Sequence, residues 1–309
     1  MFNPILLVYT GNIGISILIF AILTLTVNLQ YGSAGIFNLG VVAFFMIGAY
    51  ASSYITLAGF PFLVGVICGS LLSAAVGYAI SLPALNLRGD FLALATFMFA
   101  SIVDIIVLNV PQLGGAVGIA HVPSAFPWIE DYNVSVLANL ILAALLFGVV
   151  YLFYKLLMLS PYGRVLKSVK DNEVLAEALG KDTFRYKSEI FVICSFIAGI
   201  DGAVYAQYLG FAGTELFTYS VTFTVYIMSI IGGSSTGIGA LLGAAIYTIV
   251  QAILVDLKDV VGILSIDPNN LTFILFGLVT VLLLYFKPEG IVRSRLRKVD
   301  DPKSHLQQS

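Results

Sequence analysis

Long apolar runs follow one another along this 309-residue chain, each ended by a short cluster of turn-forming residues. The runs lie at 5–27, 34–57, 62–82, 91–110, 135–158, 188–209, 217–231, 238–255 and 270–286. Between them stand "QYGS" at 30–33, "GFP" at 59–61, "LPALNLRGD" at 82–90, "HVPSAFPWIEDYN" at 121–133 and "SIDPNN" at 265–270, all rich in turn residues. The hydrocarbon core of a bilayer is about 30 Å thick, and roughly 20 apolar residues in a helix cross it. The pattern therefore predicts an all-α polytopic membrane protein with about 8–10 transmembrane helices, some of them discontinuous or re-entrant. The sizeable polar pieces are 155–187, the stretch around 111–134, and a tail at 287–309, so residues 1–309 read as a single transmembrane domain.

Composition agrees. Hydrophobic residues make up 59% of the chain and charged residues only 10%, against about 25% charged in a soluble domain. The mean hydropathy is +1.00. No basic region precedes residues 5–27, which read as a retained helix and not as a cleaved signal. Cys68 and Cys194 both fall inside apolar runs and read as small hydrophobes. A net charge of −2, with no basic aromatic patch, gives no reason to expect nucleic acid.

The placement of the few charges sets an orientation. Cytoplasmic loops are enriched in Lys and Arg. With nine alternating spans, the loop holding Arg88, the segment 155–187 and the tail share one side, and only Lys258 among the 15 basic residues falls opposite. That side is predicted to be cytoplasmic, with the C-terminus there, in a cytoplasmic (inner) membrane.

A membrane protein that moves solute draws on ATP, on an ion gradient, or on nothing, and the chain carries no obvious engine. A phosphate cradle reads G-x-x-x-x-G-K-[ST]. The nearest string, "LGKDT" at 179–183, lacks the upstream glycine and the hydroxyl after the lysine. Within the spans the ionisable residues are Asp104 and Asp201. Each has two open readings: a helix–helix hydrogen bond, or a carboxylate lining a path to meet a polar or cationic cargo. His121 and His305 lie in a loop and in the tail, and no nucleophile–base or metal cluster is visible, so an enzyme is not expected. Glycines are placed inside the spans; "GGSSTGIGALLGAAI" (232–246) suits close helix packing and also a discontinuous helix beside a substrate route.

Against this background 155–187 is anomalous, with seven Lys/Arg and four Asp/Glu in 33 residues. "SPYG" (160–163) forces a turn, and "RVLKSVKDNEVLAEALG" then reads as helix outside the lipid. Arg164, Lys167 and Lys170 suit anionic headgroups. Asp171 and Glu173 are expected to open a second helical piece, and Gly180 to stop it. Val174, Leu175, Ala178 and Leu179 form an apolar patch flanked by Glu173 and Glu177. Such a piece is either a docking knob for a partner or an amphipathic loop lying on the membrane.

Here a resemblance becomes visible. "AEALG" (176–180) resembles the EAA-type coupling loop of ABC importer permeases. Further blocks resemble the branched-chain amino acid (LivM-type) permease family: "YGSAGIFNLGVVAFFMIGAY" (31–50), "LRGDFLALAT" (87–96), "GGAVGI" (114–119), "SPYGRVLKSVKDNEVLAEALG" (160–180), "SFIAGIDGAVYA" (195–206), "IIGGSSTGIGALLGA" (230–244) and "YFKPEGI" (285–291). They occur in family order over nearly the whole chain.

The resemblance implies a non-catalytic permease subunit of an ABC importer for branched-chain or other small amino acids. Its implied partners are a second homologous permease, two cytoplasmic ATPases that bind ATP and Mg, an extracytoplasmic solute-binding protein, and membrane lipid. It implies no cofactor in this chain. Coupling to the ATPase would fall to Asp171, Glu173, Leu175, Glu177, Ala178, Leu179 and Gly180. The translocation path would involve Gly35, Asn38, Gly232, Gly233 and Ser234, together with Asp104 and Asp201. The sequence departs from the family pattern at Val41, Ser101, Asp104, Asp201 and "AGTELF" (212–217), which leaves the cargo open to urea or short amides. A stand-alone channel or ion-coupled carrier is the rival class.

Overall fold

The fold is described by a computed structural model that covers residues 4–87, 89–256, 268–286 and 291–292. Arg88, Lys258, His305 and nearly all of the 287–309 tail lie outside the described residues. In chain order the helices are α1 (Pro4–Val27), α2 (Val41–Leu57), α3 (Phe62–Ala84), α4 (Asp90–Asn109), α5 (Tyr132–Leu159), α6 (Pro161–Asp171), α7 (Glu173–Ala178), α8 (Thr183–Leu209), α9 (Tyr219–Gly232), α10 (Gly237–Asp256) and α11 (Pro268–Phe286). Each predicted span has its helix. Seven described helical segments are long and apolar enough to cross a bilayer, and α2 is a shorter apolar helix beside them.

Three boundaries differ from the sequence reading. The "QYGS" cluster does not break the first helix; Asn28–Ser33 continues α1 as a π-helical turn. The irregular stretch comes later, over 35–40, so the second span opens at Val41 and not at 34. Pro83 is absorbed in the last turn of α3, and the turn follows Ala84.

Why these helices associate follows from their small residues. In lipid there is no water to expel between helices, so close backbone approach and interhelical hydrogen bonds do the work. The α2–α3–α8 cluster illustrates it. Ser73 of α3 donates its hydroxyl to Phe44 O of α2 (3.0 Å) and approaches Ser195 O of α8 (2.7 Å). Gln207 of α8 donates to Ser52 Oγ (2.6 Å), and the Ser81 and Ser188 hydroxyls meet at 2.8 Å. A Cβ on Gly202 would overlap the Phe45 carbonyl, so glycine is what lets α8 touch α2. The outer faces are the reverse of a soluble protein: Leu94, Met98 and Ile102 on α4, and Ile141, Leu145 and Val149 on α5, stand exposed. Cys68 also faces outward, whereas Cys194 is buried with its thiol toward Thr26 O.

The two ends of the bundle are distinct. At one end Ile119–Ala120 pairs antiparallel with Phe211–Ala212, a two-strand ladder that the all-α expectation did not include. Tyr9 donates to Asp256 at the same end (2.6 Å). At the opposite end lie the α3–α4 turn, α6 and α7, and the described tail residues, where Ile291 N and Val292 N bond Ile231 O and Gly232 O. The described residues of the α3–α4 turn, of α6 and α7, and residues 291–292 thus share one end, as the alternation of spans requires.

Candidate functional site

The shared end carries two features: a small projecting hairpin, and a junction where two helical breaks interlock. The hairpin starts where Ser160 caps α6, accepting from Gly163 N (3.4 Å), with Pro161 in the first turn. Pro fits there because the first N–H groups of a helix have no intrahelical acceptor. Asn172 ends α6 in extended conformation and caps α7, its Oδ1 accepting from Leu175 N (3.0 Å). Asp171 therefore closes α6, where the sequence reading had it open the second piece; Glu173 alone occupies that first turn. At the far end Gly180, at φ +77°, stops α7 as expected. Gly180 N bonds Glu177 O (2.8 Å) and Lys181 N bonds Ala176 O (3.1 Å), the paired bonds of a Schellman turn.

Both acids of α7 are turned back onto α8. Glu173 accepts from Lys187 Nζ (2.6 Å), and Glu177 accepts from the Thr183 hydroxyl (2.6 Å). Ala176 is the buried residue of the helix. Although both acids remain solvent-exposed, the most exposed side chains are apolar: Val174 is 75% exposed, Leu175 57% and Leu179 72%, with Ala178 also exposed. Beside this face an open cavity of about 760 Å³ runs from Glu173, Glu177 and Lys187 to Asp90, Tyr31 and Phe37. The "LGKDT" stretch thus serves as a helix stop and a clasp, with the Thr183 hydroxyl committed to a carboxylate.

The junction is built on the π turn. A π turn carries misaligned backbone and often marks a functional position. Here Asn28 Nδ2 donates to Thr236 O (2.9 Å), and Ser229 Oγ donates to Asn28 Oδ1 (2.5 Å). The Asn28 side chain therefore bridges both sides of the 233–236 break between α9 and α10. Asn38 Nδ2 donates to Gln30 Oε1 (2.9 Å), Asn38 Oδ1 accepts from Gly40 N (2.8 Å), and Tyr226 OH donates to Asn38 O (2.9 Å). Asn28, Gln30 and Asn38 are buried. Gly32 lies so close to Ser234 that a Cβ on it would overlap the Ser234 carbonyl. Tyr31, Phe37 and Tyr226 stack around the turn with ring centroids 5.0–5.9 Å apart. Buried amides in apolar surroundings are costly unless satisfied; Asn38 and Gln30 bond each other, and Asn28 bonds Thr236 and Ser229.

The residues expected on the path thus divide. Asn38, Gly232, Gly233 and Ser234 meet at the junction, and Gly35, at φ +70°, lies just beyond it against Lys170. Asp104 is half-exposed on α4 and Asp201 is fully buried on α8; neither reaches the junction. Asp201 sits about two helical turns from Cys194 on one side and Tyr208 on the other. Those two residues bond Thr26 and Asn12 of α1. Among the described residues the Asp201 carboxyl has no hydrogen-bond partner.

Sequence reasoning did not single out Asn28, Gln30, Tyr226, Ser229 and Thr236. The available signal was two amides, Asn28 and Gln30, in an otherwise apolar run. It also assigned Lys170 to lipid headgroups, whereas the Lys170 ammonium donates to the Gly32 carbonyl (2.7 Å).

Comparison with known proteins is consistent along the chain. A family model described as a branched-chain amino acid transport system permease component matches residues 9–284. A probable branched-chain amino acid transport permease protein LivM of Methanocaldococcus jannaschii is 28% identical, over 89% of this chain and 90% of its own. A high-affinity branched-chain amino acid transport system permease protein LivM of Escherichia coli is also 28% identical, over 92% and 70%. A nucleoside ABC transporter permease protein NupC of Lactococcus lactis is 23% identical, over 83% and 85%. No solved structure gives a significant match.

Proposed function

This chain belongs to the branched-chain amino acid transport permease family, a multi-pass membrane component that works with other transporter subunits, and we propose that it forms one half of the transmembrane pathway of an ATP-driven importer for branched-chain or other small amino acids. In this reading a second homologous permease completes the pathway. Two cytoplasmic ATPases bind and hydrolyse ATP with Mg, and an extracytoplasmic binding protein delivers the cargo. The end carrying α6 and α7 faces the cytoplasm of a cell whose inner membrane holds the complex.

The observation that carries the proposal is α7. A short helix whose acids are fastened inward and whose Val174, Leu175 and Leu179 stand bare has little reason to exist unless a partner covers it. Exposed apolar surface outside the lipid marks an interaction site. The junction at Asn28–Asn38 and 229–236 stands at the same end, where an inner gate of an alternating-access path is needed. Asp171 and Gly180 then bound the docking segment, and Gly232, Gly233, Ser234 and Asn38 shape the gate.

The test is reconstitution. Proteoliposomes holding this chain with its second permease and ATPases, supplied with binding protein, should accumulate leucine only when ATP is present. The chain alone should move none. Uptake by the chain alone would overturn the reading in favour of a channel or carrier.

A further inference from the structure

Lys170 stands at the last turn of α6, two residues before the cap of α7. Its stem crosses Gly35: a Cβ on that glycine would stand 3.3 Å from Lys170 Cγ and 3.5 Å from Lys170 Cα. Its ammonium ends on the Gly32 carbonyl at 2.7 Å, an acceptor that Ser235 Oγ also approaches at 3.5 Å. Lys170 as a whole remains exposed, but partial desolvation of its ammonium lowers the pKa from the ordinary lysine value, with Asp171 acting against that shift. Gly32 belongs to the π turn whose Asn28 holds Thr236 and Ser229 and whose Gln30 holds Asn38. One side chain therefore spans from the segment carrying the docking helix to the turn at which both helix breaks meet.

We propose that Lys170 is a positioning residue that carries movement of the α6–α7 hairpin into the π turn and the 233–236 break, opening and closing the inner end of the path. The role rests on the reading of α7 as the ATPase docking helix. The chemistry suits it. A charge-assisted hydrogen bond to a backbone carbonyl is strong and directional, and the acceptor lies in a turn that is already irregular and can take a second arrangement. When α6 shifts, the stem pressed on Gly35 moves the 35–40 stretch while the ammonium draws on Gly32, so Asn38 and the Asn28–Thr236 contact move together. Sites coupled in this way need a two-state element that both ends bias. The π turn supplies it.

The experiment uses the complete transporter in proteoliposomes, with wild type, K170Q, K170M and K170R compared for subunit assembly, basal ATP hydrolysis, hydrolysis stimulated by loaded binding protein, and uptake. K170Q and K170M should assemble and hydrolyse ATP at the basal rate, yet lose stimulation and about tenfold of uptake, the size of an ordinary coupling energy between sites. K170R should recover most of the loss, because a guanidinium also donates to a carbonyl. Wild-type uptake in K170Q overturns the proposal. So does a parallel fall in assembly, basal hydrolysis and uptake without rescue by K170R, which would make the residue a packing element only. If the wild-type complex itself shows no ATP-driven uptake, the permease reading fails at that control, independently of any variant.

Discussion

The Thr183 hydroxyl donates to the Glu177 carboxylate at 2.6 Å, closing the turn between α7 and the first residue of α8. Together with the Lys187–Glu173 pair at 2.6 Å, it fixes α7 to α8, an apolar helix long enough to cross a bilayer. Glu177 therefore acts inward, holding the helix in place, at least as much as outward. The expected outcome is that Glu177→Ala and Thr183→Val give the same defect: ATP-coupled uptake falls while membrane insertion is unchanged. A severe Glu177→Ala beside a wild-type Thr183→Val would show that the carboxylate touches the partner directly. Transport assays on matched amounts of inserted protein decide it.

The outward face makes a separate prediction. The side chains of Leu175 and Leu179 are apolar and exposed. Burying one such side chain in a partner groove contributes about 1.5–3 kcal/mol. Leu175→Asp and Leu179→Asp should each weaken ATPase association by at least about tenfold, since a buried charge adds to the lost apolar contact. Co-purification of the ATPase subunits from detergent reads the effect. Retention of the ATPases by both variants would remove α7 from the interface.

Much of this architecture was legible because a bilayer restricts the alternatives to helices of a fixed length. Nine apolar runs predicted nine helices with ends close to those observed. The stretch 35–40 reads as part of a span because Ile36, Phe37 and Leu39 are as apolar in an irregular stretch as in a helix, although Phe37 is exposed there. Hydrophobicity does not separate lipid-facing from protein-buried surface, so the sequence did not reveal that α1 is enclosed while α4 and α5 face outward. Over 160–180, charge pattern and the Gly180 stop were readable from local chemistry. The junction was not, because its bonds join residues about 200 positions apart, as from Asn28 to Ser229 and Thr236. Nor could local chemistry distinguish Lys170, which reaches Gly32, from its neighbours Arg164 and Lys167.

Those long-range bonds are themselves testable. Asn28→Leu keeps the branching of the side chain, though not its volume, and leaves the part-buried Thr236 carbonyl and the buried Ser229 hydroxyl without their partner. Each unsatisfied buried group costs about 1–3 kcal/mol, so the purified variant should unfold several degrees below wild type in detergent. Ser229→Ala removes one donor and leaves the Asn28 amide bonded to Thr236, so its loss should be smaller. Equal melting of Asn28→Leu and wild type would mean that the junction is held by its glycines and aromatics alone.

Asp201 presents the opposite case, a buried carboxyl that stability alone does not justify. It is 0% exposed and has no hydrogen-bond partner among the described residues. A membrane-embedded ionisable group is expensive and, where retained, is a candidate for function. A replacement with the same branching and no desolvation cost should therefore stabilise the protein: Asp201→Leu is expected to raise the melting temperature and leave membrane yield equal or higher. Asp201→Asn keeps a polar group and tests the role. If the carboxyl meets cargo or a moving water during transport, Asp201→Asn shifts cargo preference or apparent affinity at unchanged yield, and Asp201→Leu is a stable but inactive transporter. If it is a packing residue, both variants transport as wild type does. Loss of yield in Asp201→Leu would show that the carboxyl supports the fold, and would refute the expected gain in stability. Thermal unfolding and uptake measured on the same preparations separate these outcomes.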